Sequence, residues 1–339
     1  MFLTPEQVPF FAGTYFPPEP RHGLPGFGQV LDQVADAWRA QRAQIDAQNA
    51  RLRTALATLQ APPNRHGTDS ADAAAQAREA LAANFDEVHG GFGEAPKFPQ
   101  PAALQHLLSH YAEADDRHAL HMVCQTLQRM ALGGLFDQVG GGFTRYSVDR
   151  HWMIPHFEKM LYDNALLLGL YADAWRITGD ELFARVVEET VEWLFAEMGS
   201  PQEGFASALD ADTPDGEGAF YLWTPEQVRE ALSPEAATLV IRRFGLDERP
   251  NFEGRWHLHV HATFSELASG LGEPRERLRQ RWQAARRQLQ SVRNHRPRPS
   301  RDDKRLTAWN ALTARALAHA GRVLGRTDWL EAAAATLEF

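Results

Sequence analysis

Residues 149–164 read Asp-Arg-His-Trp-Met-Ile-Pro-His-Phe-Glu-Lys-Met-Leu-Tyr-Asp-Asn, a segment that combines histidines, acids, bases and large aromatic side chains. Pro155 fixes φ for a first helical turn, and the residues from Met160 to Ala174 follow a helical pattern. The polar group is therefore expected at a helix N-terminus, where free amides and the helix dipole favour an anionic or polar ligand. A helix that only fills a core does not need this mixture, so the segment predicts the wall of a ligand cavity.

Composition narrows the class of protein. The chain has 339 residues, 44% of them apolar, which is enough for a sizeable core, and a formal net charge of −9, which argues against nucleic-acid binding. Its one cysteine, Cys124, lies in a helical pattern and is expected to be a buried thiol in a reducing compartment. No apolar run reaches the roughly 20 residues of a membrane helix, and residues 1–11 do not read as a signal peptide. We therefore expect a cytoplasmic protein that binds neither membrane nor nucleic acid.

The chain divides at a linker rich in proline, glycine and polar residues, 61–70. Before it, Val8–Phe16 reads as a strand or hairpin, and residues 26–59 read as one long helix. After it, residues 71–339 are mostly helical. Both ends look cut, so we expect a piece of a longer protein. The predicted helices span residues 71–84, 101–112, 117–132, 157–178, 181–198, 225–232, 234–244, 275–292, 304–324 and 328–339.

A glycine-aromatic element recurs between predicted helix pairs. Its copies are Gly90-Gly91-Phe92, Gly141-Gly142-Phe143, Glu203-Gly204-Phe205 and Glu253-Gly254-Arg255-Trp256. Such a repeat predicts helix hairpins around a common axis, with their loops gathered at one end. The alternative is a set of unrelated loops that share Gly-Phe.

Two loops before predicted helices carry candidate ligand-binding groups. Lys97 and Glu94 lie in a loop rich in glycine and proline, where they either contact a ligand or form a solvated ion pair on a tight connector. Arg145 can anchor a carboxylate or sugar hydroxyls. Trp152 adds an aromatic surface to the same region.

The helix expected after Pro155 places three polar residues on one face. His156, Lys159 and Asp163 follow i, i+3, i+7 spacing, and we expect this face to line the cavity. Glu158 is predicted to diverge from His156 by about 200° in a fully helical turn. The alternative is a capping cluster with an intrahelical pair between Lys159 and Asp163.

A segment with alternating acidic residues adds to the candidate site. Asp210 and Asp212 alternate, so an extended strand would point both carboxylates the same way, as acid–base work on a glycoside requires. Together with Asp215 and Glu217 they could also bind Ca²⁺, although the spacing is not that of an EF-hand loop. The alternative without a function is an acidic turn on the surface.

Asp303 begins a helix, where its charge is explained by the dipole alone, and Trp309 adds an aromatic surface suited to a sugar. His257, His259 and His261 alternate, but no fourth zinc ligand is evident. We predict no metal and no cofactor.

These segments resemble the thioredoxin-domain-containing proteins that carry the DUF255 domain and are related to spermatogenesis-associated protein 20. The resemblance implies the last strands and helix of a thioredoxin-like domain over residues 1–60, then a mainly α, incomplete α/α toroid over residues 71–339, similar to six-hairpin glycosidases and N-acylglucosamine 2-epimerases. The family's redox cysteines are absent from this chain. The matching residues are 2–5, 9–18, 90–99, 133–164, 207–212, 220–224, 251–254 and 302–310.

Two functions follow as hypotheses. In the first, the toroid is a carbohydrate-active hydrolase or epimerase. Its acid–base candidates are His156, Asp163, Asp210 and Asp212, and its substrate-binding candidates are Lys97, Arg145, Trp152, Lys159, Asp303 and Trp309. In the second, it is a non-catalytic binding or redox-partner module whose thiol-exchange domain is missing. In both, uncovered toroid edges are expected to favour self-association.

Overall fold

The computed structural model describes residues 1–20, 23–59 and 70–339. It divides into two compact units, Met1–Asp69 and Ser70–Phe339. The predicted linker, 61–70, lies outside the described residues except for Ser70, with which a helix begins.

The first unit begins with a strand pair and continues with two helices. Strands β1 (Phe2–Leu3) and β2 (Pro9–Phe11) pair antiparallel through a turn at Thr4–Gln7. The strand predicted within residues 8–16 is confirmed at β2, but its partner β1 precedes that segment. Helices α1 (Phe27–Ala40) and α2 (Arg42–Leu59) replace the single long helix that was predicted. That prediction is wrong because the backbone leaves helical geometry at Gln41, with φ −122° and ψ 30°.

The second unit is mainly α-helical, as predicted. Helices that match a predicted one within a few residues are α3 (Ser70–Ala83), α4 (Pro101–Ala114), α5 (Arg117–Leu132), α6 (Leu161–Thr178), α7 (Glu181–Trp193), α8 (Pro225–Ala231), α9 (Pro234–Phe244), α11 (Arg275–Arg293), α12 (Thr307–Leu324) and α13 (Thr327–Glu338). A helix that was not predicted, α10 (Phe264–Leu271), starts at a capping box formed by Thr263 and Glu266. A π-helical segment, Leu194–Met198, continues α7. No helix within the described ranges has the length and apolar character that a membrane span requires.

Short strands connect the loops of this unit. They are β3 (Tyr146–Ser147), β4 (Pro155–His156), β5 (Lys159–Met160), β6 (Gly199–Ser200), β7 (Gly204–Phe205), β8 (Ala208–Leu209), β9 (Asp212–Thr213), β10 (Gly216–Glu217) and β11 (Arg301–Asp302). The predicted helical turn at residues 157–160 is wrong, because β5 pairs antiparallel with β8 and α6 starts only at Leu161.

Three helix hairpins stand side by side, as in a sector of an α/α toroid. Helices α4, α6 and α12 pack in a row, and each also packs against the next helix in the chain, α5, α7 and α13 respectively. The core of this row contains Leu107, Leu127, Tyr171, Phe183 and Leu317. Helices α8 to α11 form a second packed group with its own core around Trp223, Phe244 and Trp282. Strand β5 before α6 and strand β11 before α12 both pair with β8, and we call the end of the row where these loops meet the rim.

Candidate functional site

Two loops at this rim have the same construction. In residues 85–92 and 136–143, a phenylalanine at the start bridges to a phenylalanine at the end. The aspartate that follows the first phenylalanine holds the turn: Asp86 accepts two backbone hydrogen bonds at 3.1 and 3.0 Å, and Asp137 accepts two at 3.0 and 3.0 Å. The repeat noticed as Gly-Gly-Phe therefore begins earlier in each copy, at Phe-Asp.

A buried lysine forms an ion pair with the aspartate of each of these loops. Nζ of Lys97 lies 2.7 Å from Oδ2 of Asp86, and Nζ of Lys159 lies 3.0 Å from Oδ2 of Asp137. Each ammonium group also donates to a loop carbonyl, at 2.8 and 2.7 Å, and both side chains are 0% exposed. Burial alone would raise the pKa of Asp137, but Arg293 and Lys159 hold it well below its usual range. The structure thus places both lysines in the framework of the loops and not on the ligand surface predicted for them.

A third loop follows the same plan with different side chains. Nε of Arg305 donates to the carbonyl of Glu203 at 3.2 Å, where the other loops use lysine. Asn310 exchanges two hydrogen bonds, of 2.7 and 3.1 Å, with the backbone of Phe205. Asn164 of α6 makes the equivalent pair with residue 143, at 2.6 and 2.9 Å. The third copy therefore shares the contact from a cationic side chain to a loop carbonyl with the first two, and the asparagine pair with the second. The fourth copy lies in the α8–α11 group.

The predicted loop segments meet at the rim. Strands β5, β8 and β11 form one sheet in which Lys159 and Arg301 both pair with Leu209. Lys97 bridges to Ser147 of β3, and β3 pairs with β4 so that Tyr146 lies opposite His156. Segments that are distant in sequence are thereby joined into one continuous surface.

At the centre of this surface is a polar group that we call the rim cluster: Arg145, His156, Glu158, Tyr162, Asp163 and Glu217. Oε2 of Glu158 lies 2.9 Å from Nη1 of Arg145 and 3.7 Å from Nε2 of His156. Nδ1 of His156 lies 3.2 Å from Oε1 of Glu217. The prediction that His156 and Glu158 diverge is wrong, because the backbone there is not helical. The rim cluster thus surrounds one imidazole with two carboxylates.

Asp163 has the most perturbed environment of the cluster. Its side chain is 6% exposed, and its Oδ2 has no hydrogen-bond partner among the described residues. Burial raises the pKa of Asp163 to about 7, and nearby Glu158 adds to the rise, while Arg145 and Tyr162 oppose it. A carboxyl group that titrates near neutral pH can act as an acid or a base there.

Aromatic rings flank the rim cluster. Tyr146 stacks between Phe98 and His156, with ring centroids 4.7 and 5.1 Å apart. The ring of Tyr162, within the cluster, lies 4.8 Å from the ring of Trp309. Such faces offer apolar contact area beside the polar groups.

A groove of about 720 Å³ is lined by α4, α6 and α12. On α6 it is lined by Leu166, Gly169 and Asp173, which follow Tyr162 at helical spacing and so share its face. On α12 it is lined by Leu312, Ala316 and His319, which follow Trp309 in the same way. Within the groove, Nε2 of His319 lies 3.0 Å from Oδ1 of Asp173. The groove therefore runs along the helix faces on which the aromatic pair of the rim lies.

Other predicted site residues lie outside the cluster. Asp210 and Asp212 are exposed, and Oδ1 of Asp210 accepts a local hydrogen bond from the Asp212 backbone at 3.3 Å. Asp303 is exposed and paired with Arg301 at 2.6 Å. Trp152 is 0% exposed, so the structure assigns it to packing and not to a ligand surface.

The three alternating histidines do not form a strand face. His257 is buried, its Nε2 lies 2.6 Å from the carbonyl of Gly134, and burial lowers its pKa to about 4. His261 is exposed. Over residues 1–20, 23–59 and 70–339, no group of three histidine, cysteine or acidic side chains is arranged to hold a metal ion.

Sequence reasoning brought together Arg145, His156, Asp163 and Trp309, but it missed their neighbours. Tyr146 and Tyr162 were not predicted, although they adjoin the predicted residues Arg145 and Asp163 in the sequence. Glu217 was considered solely as a Ca²⁺ ligand, yet the β9–β10 hairpin carries it to the imidazole. No local pattern indicates that contact, because it joins residues 61 positions apart.

The chain is thus a mainly α-helical protein built from helix hairpins, with a cluster of acidic and aromatic side chains at the rim where its loops meet. The chain belongs to the family of spermatogenesis-associated protein 20. It is 37% identical to that protein from Rattus norvegicus, with 96% of this chain and 45% of the relative aligned, and 35% identical to the one from Homo sapiens, with 96% and 46% aligned. Residues 1–57 match a family model described as a protein of unknown function, DUF255. The chain thus spans about half the length of the curated relatives it matches.

Solved structures resemble the chain more distantly. A D-mannose isomerase aligns with a TM-score of 0.46 and 10% identity, over 82% of this chain and 52% of that one. A cellobiose 2-epimerase from Bacillus thermoamylovorans aligns with a TM-score of 0.36 and 10% identity, over 79% and 86%. Neither score supports an inference about activity, so the function must be argued from the rim itself.

Proposed function

We propose that the rim of the helical unit binds a saccharide and that Asp163 and His156 act on it as acid and base. The observation that carries the proposal is the buried Asp163 carboxyl, whose Oδ2 is unpartnered among the described residues and whose pKa is raised to about 7. A buried carboxyl oxygen without a partner weakens a fold, and carboxyl groups with strongly shifted pKa values are concentrated at functional sites.

The surroundings of Asp163 suit a sugar. Saccharides present both hydroxyl groups and apolar ring faces. Arg145 and Glu158 offer a charged donor and acceptor for hydroxyls, although they are paired with each other at 2.9 Å in the free protein. Tyr162 and Trp309 offer aromatic faces next to them. The groove along α6 and α12, which none of the rim-cluster residues lines, has room for further sugar rings of such a ligand.

The chemistry proposed is proton transfer at a sugar carbon beside a carbonyl. One group removes the proton from that carbon and the other returns it, which inverts or relocates the centre without net consumption of protons. A protonated Asp163 and an imidazole at His156 supply this pair. Glycoside hydrolysis by Asp210 and Asp212 is less well supported, because both carboxylates are exposed and lie outside the cluster.

A thermal-shift screen tests binding. A panel of mono- and disaccharides is added to the wild type, to Trp309→Ala and to the control Trp256→Ala, a partly buried tryptophan of the α8–α11 group. A sugar at one hundred times its Kd stabilises the folded state by about 2.7 kcal/mol. We expect at least one sugar to raise the Tm of the wild type and the control, with a much smaller rise in Trp309→Ala. If no sugar shifts the wild type, the alternative of a non-catalytic binding module takes the place of this proposal.

A further inference from the structure

A second cavity, of about 660 Å³, lies away from the rim, between α7 and the α9–α11 group. Its wall includes Leu182, Val260, Phe264 and Trp282, so much of it is apolar. Arginine side chains from three helices also line it, together with the acidic residues Asp180, Glu181, Glu188 and Glu276. A pocket that combines apolar walls with convergent polar groups is a usual form of a small-molecule site.

Arg243 is the distinctive group of this cavity. Arg243 is only 4% exposed, and its guanidinium carbon lies 3.8 Å from the ring centroid of Phe264. Nη1 donates to the carbonyl of Ala262 at 3.2 Å, whereas Nε has no partner among the described residues. A buried cation with an unused donor is costly, and burial lowers the pKa of Arg243 to about 9.

Arg185 also lines the cavity, and it has a second unused donor. Its Nη1 is bound to Glu189 at 2.9 Å, but its buried Nη2 has no partner within the described ranges. Glu189 attracts Arg243 electrostatically but makes no hydrogen bond to it, and its carboxylate contacts Arg185 at 2.9 Å and Arg286 at 3.5 Å. Arg185 and Arg243 repel each other, and an anion between them would relieve that repulsion.

We propose that this cavity binds a small molecule in which a carboxylate or phosphate group is carried on an apolar body. The oxyanion accepts hydrogen bonds from Nε of Arg243 and Nη2 of Arg185, for which planar guanidinium groups are well suited. The apolar body lies against Phe264 and Trp282. Because no rim residue takes part, this site is independent of the proposed saccharide chemistry.

Isothermal titration calorimetry in a chloride-free buffer at pH 7 tests the proposal with three probes: inorganic phosphate, benzoate and phenyl phosphate. We expect saturable binding of benzoate or phenyl phosphate that is tighter than that of inorganic phosphate. Arg243→Gln should weaken the Kd about tenfold or more, as expected for the loss of a charged hydrogen bond. Arg242→Gln is the matched control and should bind as the wild type does, because Arg242 is the exposed neighbour of Arg243 on α9 and does not line the cavity.

Arg185→Gln provides the same test if Arg243→Gln does not fold. Absence of saturable binding of all three probes to the wild type would overturn the proposal, as would equal binding by the wild type and both variants. Equal affinities for inorganic phosphate and phenyl phosphate would overturn the part of the proposal that gives the ligand an apolar body. Asp163→Asn should bind the probes normally, so failure at the rim and failure here are distinguishable.

Discussion

Asparagine at position 163 removes the ionisable group on which the account of the rim depends. The folded-state pKa of Asp163 is raised from 3.8 to about 7. Between these values the folded protein binds a proton that the unfolded chain has released, so stability falls as the pH rises through this interval and levels off above about pH 7. The residue is 6% exposed, so solvent screening reduces the effect little. At 1.36 kcal/mol per pKa unit, the wild type should lose about 4 kcal/mol across the interval.

Asp163→Asn cannot show this loss, because it carries no charge at any pH. Urea unfolding followed by tryptophan fluorescence is measured at intervals from pH 5 to pH 8.5 for both proteins. The wild type should lose stability relative to the variant by about 3 kcal/mol over this range, since part of the loss lies below pH 5. A constant packing cost of the new amide, about 1–3 kcal/mol, shifts the whole curve and leaves the difference in slope unchanged.

The control is Asp303→Asn, the same substitution at an exposed rim position. Its stability should run parallel to that of the wild type between pH 5 and pH 8.5. If the curves of Asp163→Asn and the wild type were also parallel, the carboxyl would titrate at an ordinary pKa and the reasoning for an acid at the rim would be refuted.

Three further predictions concern the framework. Lys159→Met removes one of the cations that neutralise buried Asp137 and should lower the free energy of unfolding by about 3 kcal/mol in urea titrations, whereas exposed Lys304→Met should change it by less than about 0.5 kcal/mol. Asn310→Ala loses the two hydrogen bonds to Phe205 and should lower the free energy of unfolding by about 2 kcal/mol in the same measurement. An unchanged urea midpoint would contradict a stabilising role for these two bonds. Cys124 is half-buried, whereas a buried thiol was predicted; partial burial raises the pKa of this thiol to about 11, so native protein should react with a thiol reagent about 100-fold more slowly than urea-unfolded protein, and similar rates would contradict that shift.

Helix boundaries could be predicted wherever local chemistry sets them. The predictions for α5 and α9 are confirmed to the residue, because the Asp116 cap starts α5 and Ser233 with Pro234 starts α9, which then ends at Gly245. The false helical turn before Leu161 has a different cause. Its backbone pairs with β8, about fifty residues further along the chain, and helix propensity contains no information on such a partner.

The site was predicted in part for the same reason. Arg145, His156 and Asp163 lie close together in sequence, so their grouping was accessible from one segment. The burial of Lys97 and Lys159 was not, since it depends on aspartates in the preceding loops. A comparison of the two copies upstream of Gly-Gly-Phe shows a shared Phe-Asp, which is the signal that identifies these partners.

The most direct test of the rim as a catalytic site is solvent exchange at carbon. The sugars that stabilise the wild type are incubated with it in D₂O at pH 7, and deuterium at the carbon next to the carbonyl is followed by NMR. We predict incorporation by the wild type that falls about 100-fold or more in Asp163→Asn. Equal incorporation by both proteins, or none with any sugar that binds, would contradict acid–base chemistry at the rim.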